Sequence, residues 1–139
     1  MQEVGVTLQF ITACLGNVRR PTCDLFDRSP DGHVIFLQSY FRSLLIYGAQ
    51  AYGRHQNTIL QVRIHPHIEG TVHTYRRFWS ADEYTDHEAF LVGDCITIKA
   101  MLPDNITQDD FKAILKLAGG YRGISPYGWQ SGFGRFTIK

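Results

Sequence analysis

The sequence predicts one α+β domain, with an antiparallel sheet and two helices packed on one of its faces. Three observations carry that prediction. Alternating apolar residues mark several short strands, and apolar residues at helical spacing mark only two helices. Several strand signals, rather than one, lie between those helices, so single parallel crossovers do not fit. The 139 residues are 44% hydrophobic and 19% charged, enough to bury roughly two thirds of the unfolded surface in one core. No repeat, low-complexity tract or linker divides the chain, so residues 1–139 read as a single domain.

Val4, Val6, Leu8 and Phe10 alternate with Gly5, Thr7 and Gln9, the period of a strand with one buried face. Residues 16–33 mix Gly, Pro, Asn and Asp with three arginines and read as a long loop, of the kind that is usually functional or mobile. Helical spacing of Phe36, Leu37, Tyr40, Phe41, Leu44, Leu45 and Tyr47 predicts a helix from Val34 to about Ala51, with Gly53 near its end. Thr58, Leu60, Val62 and Ile64 alternate with Ile59, Gln61, Arg63 and His65 in a second strand that Pro66 ends, and Thr71 to Phe78 is a hairpin partner. The polar run from Ser80 to His87 reads as a loop before a strand at 89–92. Gly93-Asp94 then turns the chain into a strand at 95–102 whose inner row is Ile96, Ile98, Ala100 and Leu102.

Thr107 is placed to cap a second helix at 107–118 by accepting the Asp110 N–H, with the Asp110 carboxylate reaching back and Ile106 and Phe111 as the hydrophobic staple. Phe111, Ile114, Leu115 and Ala118 line its inner face, Gly119 is its C′ residue, and Gly134 to Ile138 makes the last strand. The resulting order corresponds to a ferredoxin-like or RNA-recognition-motif sandwich followed by a Gly-rich loop.

Composition narrows the function classes. Fourteen Lys/Arg against thirteen Asp/Glu give a net charge of +1, which argues against a basic coat for duplex DNA. The positive charge leans toward residues 1–78, where eight arginines face five acids. No apolar run approaches the about 18 residues a membrane span requires, and Met1 to Val4 does not start a signal peptide, so a protein of the cytoplasm with no membrane partner is expected. Cys14, Cys23 and Cys95 form neither an even set nor a C-x-x-C pair, which fits a reducing compartment.

Residues 119–134 hold six of the thirteen glycines. Glycines allow positive φ and close backbone approach, and successive N–H groups in such turns can cradle anions. Tyr121, Tyr127, Trp129 and Phe133 are flat surfaces on which bases stack, and Arg122 and Arg135 donate to phosphate. Single-stranded nucleic acid suits this combination. A Gly-rich connection whose aromatics plug the edge of the core, and a protein interface, fit it as well. Nucleotide hydrolysis does not, because Gly119-Gly120 follows a helix and no G-K-[ST] occurs.

A ferredoxin-like order whose second helix leads into a glycine-rich loop and a G-x-G-R-F strand resembles the RAMP proteins of CRISPR effector and RNA-processing complexes. More narrowly, Leu117-Ala-Gly-Gly-Tyr-Arg-Gly-Ile-Ser125 with Gly132-Phe-Gly-Arg-Phe136 resembles the C-terminal end of a family of uncharacterised bacteriophage proteins. Both resemblances cover about the last 35 residues and the coarse order of elements. They imply a phage-type protein of the host cytoplasm on a nucleic-acid-handling scaffold, carried at Gly132, Gly134 and Arg135. Ser125-Pro126-Tyr127 departs from the usual G-x-R-P stretch.

Arg76-Arg77-Phe78-Trp79 is a second basic-aromatic cluster, and a strand over 71–78 would put His73, Tyr75 and Arg77 on one face as a stacking surface. Arg19-Arg20 is a third candidate. His65, His67 and His73 could approach one another, but no Cys or carboxylate completes a metal set, so no metal or other cofactor is expected. His33, His65, His67 or His73 could instead act as an acid or base on a ribose 2′-OH, the chemistry of the metal-independent RNA endonucleases among RAMP proteins. Asp82, Glu83, Asp86 and Glu88 lack ordered spacing, Ser125 does not sit in G-x-S-x-G, and Cys14 and Cys95 read as buried thiols.

The sequence therefore leads first to a non-catalytic single-strand binder using Arg76, Arg77, Tyr121, Arg122, Tyr127, Trp129, Gly132, Phe133, Gly134 and Arg135. Modest charge implies several copies associating along one strand for tight binding. The alternatives are a histidine-dependent RNA endonuclease and a module directed at a protein partner.

Overall fold

The computed structural model describes residues 1–139 and shows an α+β fold with two helices and two antiparallel sheets. In chain order the elements are β1 (Gln2–Phe10), β2 (Cys14–Leu15), α1 (Gln38–Tyr52), β3 (Arg63–Ile64), β4 (His73–Phe78), β5 (Tyr84–Phe90), β6 (Cys95–Leu102), α2 (Gln108–Tyr121) and β7 (Phe136–Ile138). The four-stranded sheet runs β3-β6-β1-β7. With the hairpin set aside, this is the 2-3-1-4 order of a ferredoxin-like β-α-β-β-α-β unit, in which each helix crosses over one intervening strand. β2, β5 and β4 make the second, three-stranded sheet.

Burial follows the alternation in the sequence. Val4, Val6, Leu8 and Phe10 of β1 and Ile96, Ile98, Ala100 and Leu102 of β6 are all buried in one cluster with the inner faces of both helices. Fully burying side chains of this size stabilises the fold by about 1.5–3 kcal/mol each. The strand residues of the opposite face, among them Glu3, Gly5, Lys99 and Met101, include no Phe, Tyr or Trp, so the strands themselves offer bases no stacking platform of the RNA-recognition-motif kind. The helices touch through Gly48, where a Cβ would come 2.5 Å from the Ile114 carbonyl oxygen.

Several boundaries differ from the sequence expectation. α1 starts at Gln38, because Val34 to Phe36 are extended and Phe36 N–H donates to the Pro66 carbonyl. Thr58–Gln61 is a 3-10 turn, so the expected second strand shrinks to Arg63–Ile64. The polar stretch read as a loop is half strand, since β5 begins at Tyr84 and pairs with β4 from Phe78↔Tyr84 to His73↔Ala89. The hairpin thus pairs within its own sheet. Thr107 Oγ1 accepts the Asp110 N–H at 3.1 Å as expected. The Asp110 carboxylate turns instead to the Tyr52 hydroxyl and His55 Nε2, each at 2.8 Å. Gly119 is helical rather than a C′ residue, and positive φ first appears after α2 at Gly123. Gly119 is there for contact, since a Cβ would lie 2.5 Å from the Phe136 ring.

Candidate nucleic-acid interface

The sixteen-residue Gly-rich segment is docked rather than open. Ser125 is buried, its Oγ accepting the Leu15 N–H at 2.9 Å and donating to the Tyr127 carbonyl at 2.5 Å. Tyr127 N–H donates to the Leu15 carbonyl, and Gly134 N–H to that of Ala13. The amides of Gly132 and Phe133 close local turns on Trp129 and Gly128, and that of Arg135 donates to Thr12 Oγ1. No run of free N–H groups remains at 132–135 to cradle an anion, which corrects that part of the sequence reading. The glycines serve turn geometry, with Gly128, Gly132 and Gly134 all at positive φ.

Docking carries one loop aromatic into a groove of about 1120 Å³ between residues 17–24 and the tip of the β4-β5 hairpin. Tyr127 and Arg77 lie on its wall with the guanidinium 4.4 Å above the ring. Arg77 Nε donates to Nε2 of buried His87 at 3.1 Å, and His87 Nδ1 lies 2.6 Å from the Gly16 carbonyl oxygen. These partners require Nδ1 to carry the proton and Nε2 to accept, so Arg77 is oriented by a neutral imidazole. Arg19 and Arg20 line the opposite side, with Trp79 and Tyr84 exposed at the hairpin. None of Arg19, Arg20 and Arg77 has a carboxylate within salt-bridge distance.

The remaining predicted residues divide. Arg76 is neutralised by Asp86, with Nε–Oδ1 at 2.9 Å and Nη2–Oδ2 at 3.2 Å, and its guanidinium lies 3.8 Å over the Tyr84 ring. Arg122 stacks 3.9 Å over Trp129, and Tyr121 is exposed at the end of α2. Phe133 packs edge-on against Tyr75 and beside Tyr127. Arg135 serves mainly through its backbone, its carbonyl accepting the N–H groups of Ile11 and Thr12. The expected row on the 71–78 strand is half-buried under the Gly-rich loop at Tyr75 and Arg77, while His73 turns to Asp94 at 3.4 Å. Tyr84 escapes the sequence reading, and Trp79 enters it only as part of the Arg76–Trp79 cluster and not among the chosen contacts, because the wall they complete is built only when the 17–24 loop folds back on the hairpin.

The histidines give a second cluster, on the helix-free face of the four-stranded sheet. The His33 and His67 rings stack at 4.9 Å and 7°, and His65 stands edge-on to His67 at 4.8 Å. His73 is elsewhere. Only the His33 and His67 rings meet face to face, and no group of three His, Cys, Asp or Glu is placed to hold a metal ion. Asp31 pairs with His33 Nδ1 at 3.0 Å, and the Ser29 hydroxyl, followed by His33, holds its carboxyl down at about 2.

Asp86 and Glu88 are absorbed by Arg76 and Arg28. Burial pushes the Cys14 thiol far up, and it donates to the Ile124 carbonyl, so it is a core group and not a nucleophile. Cys95 is half-exposed rather than buried, and all three cysteines are free. No helix is long and apolar enough to cross a membrane. Compared with protein-family models and with curated proteins, the chain matches none.

Proposed function

We propose that this protein binds single-stranded nucleic acid along the groove between residues 17–24 and the β4-β5 hairpin, without catalysis. One observation carries the reading: three arginines free of carboxylate partners share a groove with the rings of Trp79, Tyr84 and Tyr127. A single strand needs cations along its backbone and flat faces for its bases, each stacked base contributing about 1–3 kcal/mol. The groove's polar lining does not suit an apolar ligand. The net charge of +1 keeps the affinity of one copy modest, so tight binding arises when several copies share a strand. As a small phage-type binder it would act in the host cytoplasm.

The test is fluorescence anisotropy of labelled single-stranded RNA and DNA 20-mers at two salt concentrations, with the wild type and Arg77→Ala. Salt-sensitive binding that Arg77→Ala weakens supports the reading, and the tighter oligomer identifies the preferred strand. No binding at low salt sinks it and favours a protein partner, for which the exposed Trp129–Arg122 stack is the first surface to mutate.

The endonuclease alternative has one observation in its favour, the convergence of His33, His65 and His67. It predicts RNA cleavage without added metal that His67→Ala abolishes, whereas a DNA strand of the same sequence stays intact.

A further inference from the structure

The three histidines line a concavity of about 480 Å³, within the range of small-ligand sites and separate from the arginine groove. The backbone fixes it. His65 N–H donates to the Lys99 carbonyl at 2.8 Å, Ile68 N–H to that of Val34 at 2.9 Å, and a bridge joins Ile35 to His67. His65 Nδ1 accepts the His67 N–H at 3.2 Å, which leaves His65 Nε2 as a donor. His33 Nε2 and both ring nitrogens of His67 have no partner in the protein and are available to a ligand.

Charge in the pocket is balanced before the imidazoles are counted. Arg63 and Lys99 contribute two cations, Glu3 and Glu69 two carboxylates, and Asp31 sits behind His33. An anion is therefore drawn in only as far as the histidines carry protons, and histidine changes charge between about pH 5 and 8. Two protonated rings stacked at 4.9 Å repel each other, and a dianion at their edges removes that repulsion. Lys99 and Arg63 add the point charge and the fork that phosphate oxygens take. Glu3 and Glu69 are acceptors of the kind that hold ribose hydroxyls, and Met101 offers an apolar surface beside them.

We propose that this pocket binds a ribonucleoside monophosphate group, taking up a proton as it does so. The phosphate lies against His33, His67 and Lys99, and the sugar against the carboxylates. The same chemistry is presented by a free mononucleotide and by the phosphorylated end of an RNA strand. The inference does not depend on the arginine groove binding a strand, and it requires no bond to break.

The experiment follows the histidine ring signals by NMR during titration with adenosine 5′-monophosphate, with adenosine as control, and measures heats of binding in two buffers of different ionisation enthalpy. Saturable shifts of His33 and His67 with the monophosphate and not with adenosine are expected, with net proton uptake. Affinity should fall roughly tenfold from pH 6.5 to 8.0, where the ligand stays mainly dianionic, so the loss belongs to the protein. His67→Ala and Lys99→Ala should each weaken binding severalfold while leaving the circular dichroism spectrum unchanged, and Arg77→Ala should not affect it. A short 5′-phosphorylated RNA that binds more tightly than both the mononucleotide and its unphosphorylated counterpart assigns the site to strand ends; equal affinity of strand and mononucleotide assigns it to the free nucleotide. Absence of saturable shifts, or binding without proton uptake that survives His67→Ala, overturns the proposal.

Discussion

Ser125 and Tyr127 form a single relay between the core and the groove: the buried Ser125 hydroxyl donates to the Tyr127 carbonyl at 2.5 Å while accepting the Leu15 N–H at 2.9 Å. The Tyr127 ring then meets the hydrogen-bonded Arg77–His87 pair, with the Arg77 guanidinium 4.4 Å and the His87 ring 4.8 Å from its centre. A groove residue on an irregular segment is thereby positioned by an interior hydrogen bond.

Replacing Ser125 by Ala leaves the Leu15 N–H and the Tyr127 carbonyl short of partners in a dry environment. We expect a loss of about 1–3 kcal/mol in urea unfolding, the cost of orphaning a buried group. Strand binding should weaken too, because the Arg77–Tyr127 pair loses its support. Unchanged stability would show that the hydroxyl does not hold the loop.

Gly119 and Gly120 are neighbours in α2 with opposite surroundings. A Cβ on Gly119 would lie 2.5 Å from the Phe136 ring, whereas one on Gly120 meets nothing within 4 Å. Gly119→Ala should destabilise by about 1–3 kcal/mol through overpacking, and Gly120→Ala should stabilise by about 0.5–1 kcal/mol through helix propensity. Thermal unfolding of the two variants decides, and shifts in the same direction would contradict the packing described.

The same glycines show where the sequence was legible. Period-2 alternation in β1 and β6 and the Thr107 cap were readable, because each depends on residues close in the chain. The ferredoxin-like order followed from them. The second sheet was not readable, since β2 is two residues long and pairs with β5 across most of the chain, and β5 is masked by polar residues whose partners are Arg76 and Arg28. Of the candidate site, Arg77, Tyr127, Arg19 and Arg20 were found as separate clusters. Their common groove depends on the docking of Ser125, which no local pattern announces. The glycine count pointed to an anion cradle, and the carbonyls of Ala13, Gly128 and Trp129 had already taken the amides involved.

Asp110 joins the two helices electrostatically. The Tyr52 hydroxyl and then His55 hold its carboxyl below the usual carboxylate range. A depressed acid favours the folded state fully above its unfolded value of about 3.9, and that contribution is lost as pH falls through the lower folded value. Asp110→Asn should therefore be less stable than wild type near pH 6, with the gap closing as pH falls below about 4. A gap that is constant with pH would mean that the ionised form makes no specific contribution.

Arg76 and Arg77 are adjacent in sequence, yet only Arg77 faces the proposed strand without a neutralising partner. Arg76 already sits on Asp86, so its removal exposes a carboxylate as well as deleting a cation. For a single strand, log Kd changes with log salt by about 0.7 for each phosphate neutralised. Arg19→Ala, Arg20→Ala and Arg77→Ala should each reduce that slope by about this amount, and Trp79→Ala should weaken binding by about 1–3 kcal/mol with the slope intact. Lys116→Ala, on the exposed side of α2, should change neither. Anisotropy titrations over a salt series separate these outcomes. If Arg122→Ala lowers the slope and Arg77→Ala does not, the strand runs over the Trp129 stack and the groove assignment is wrong.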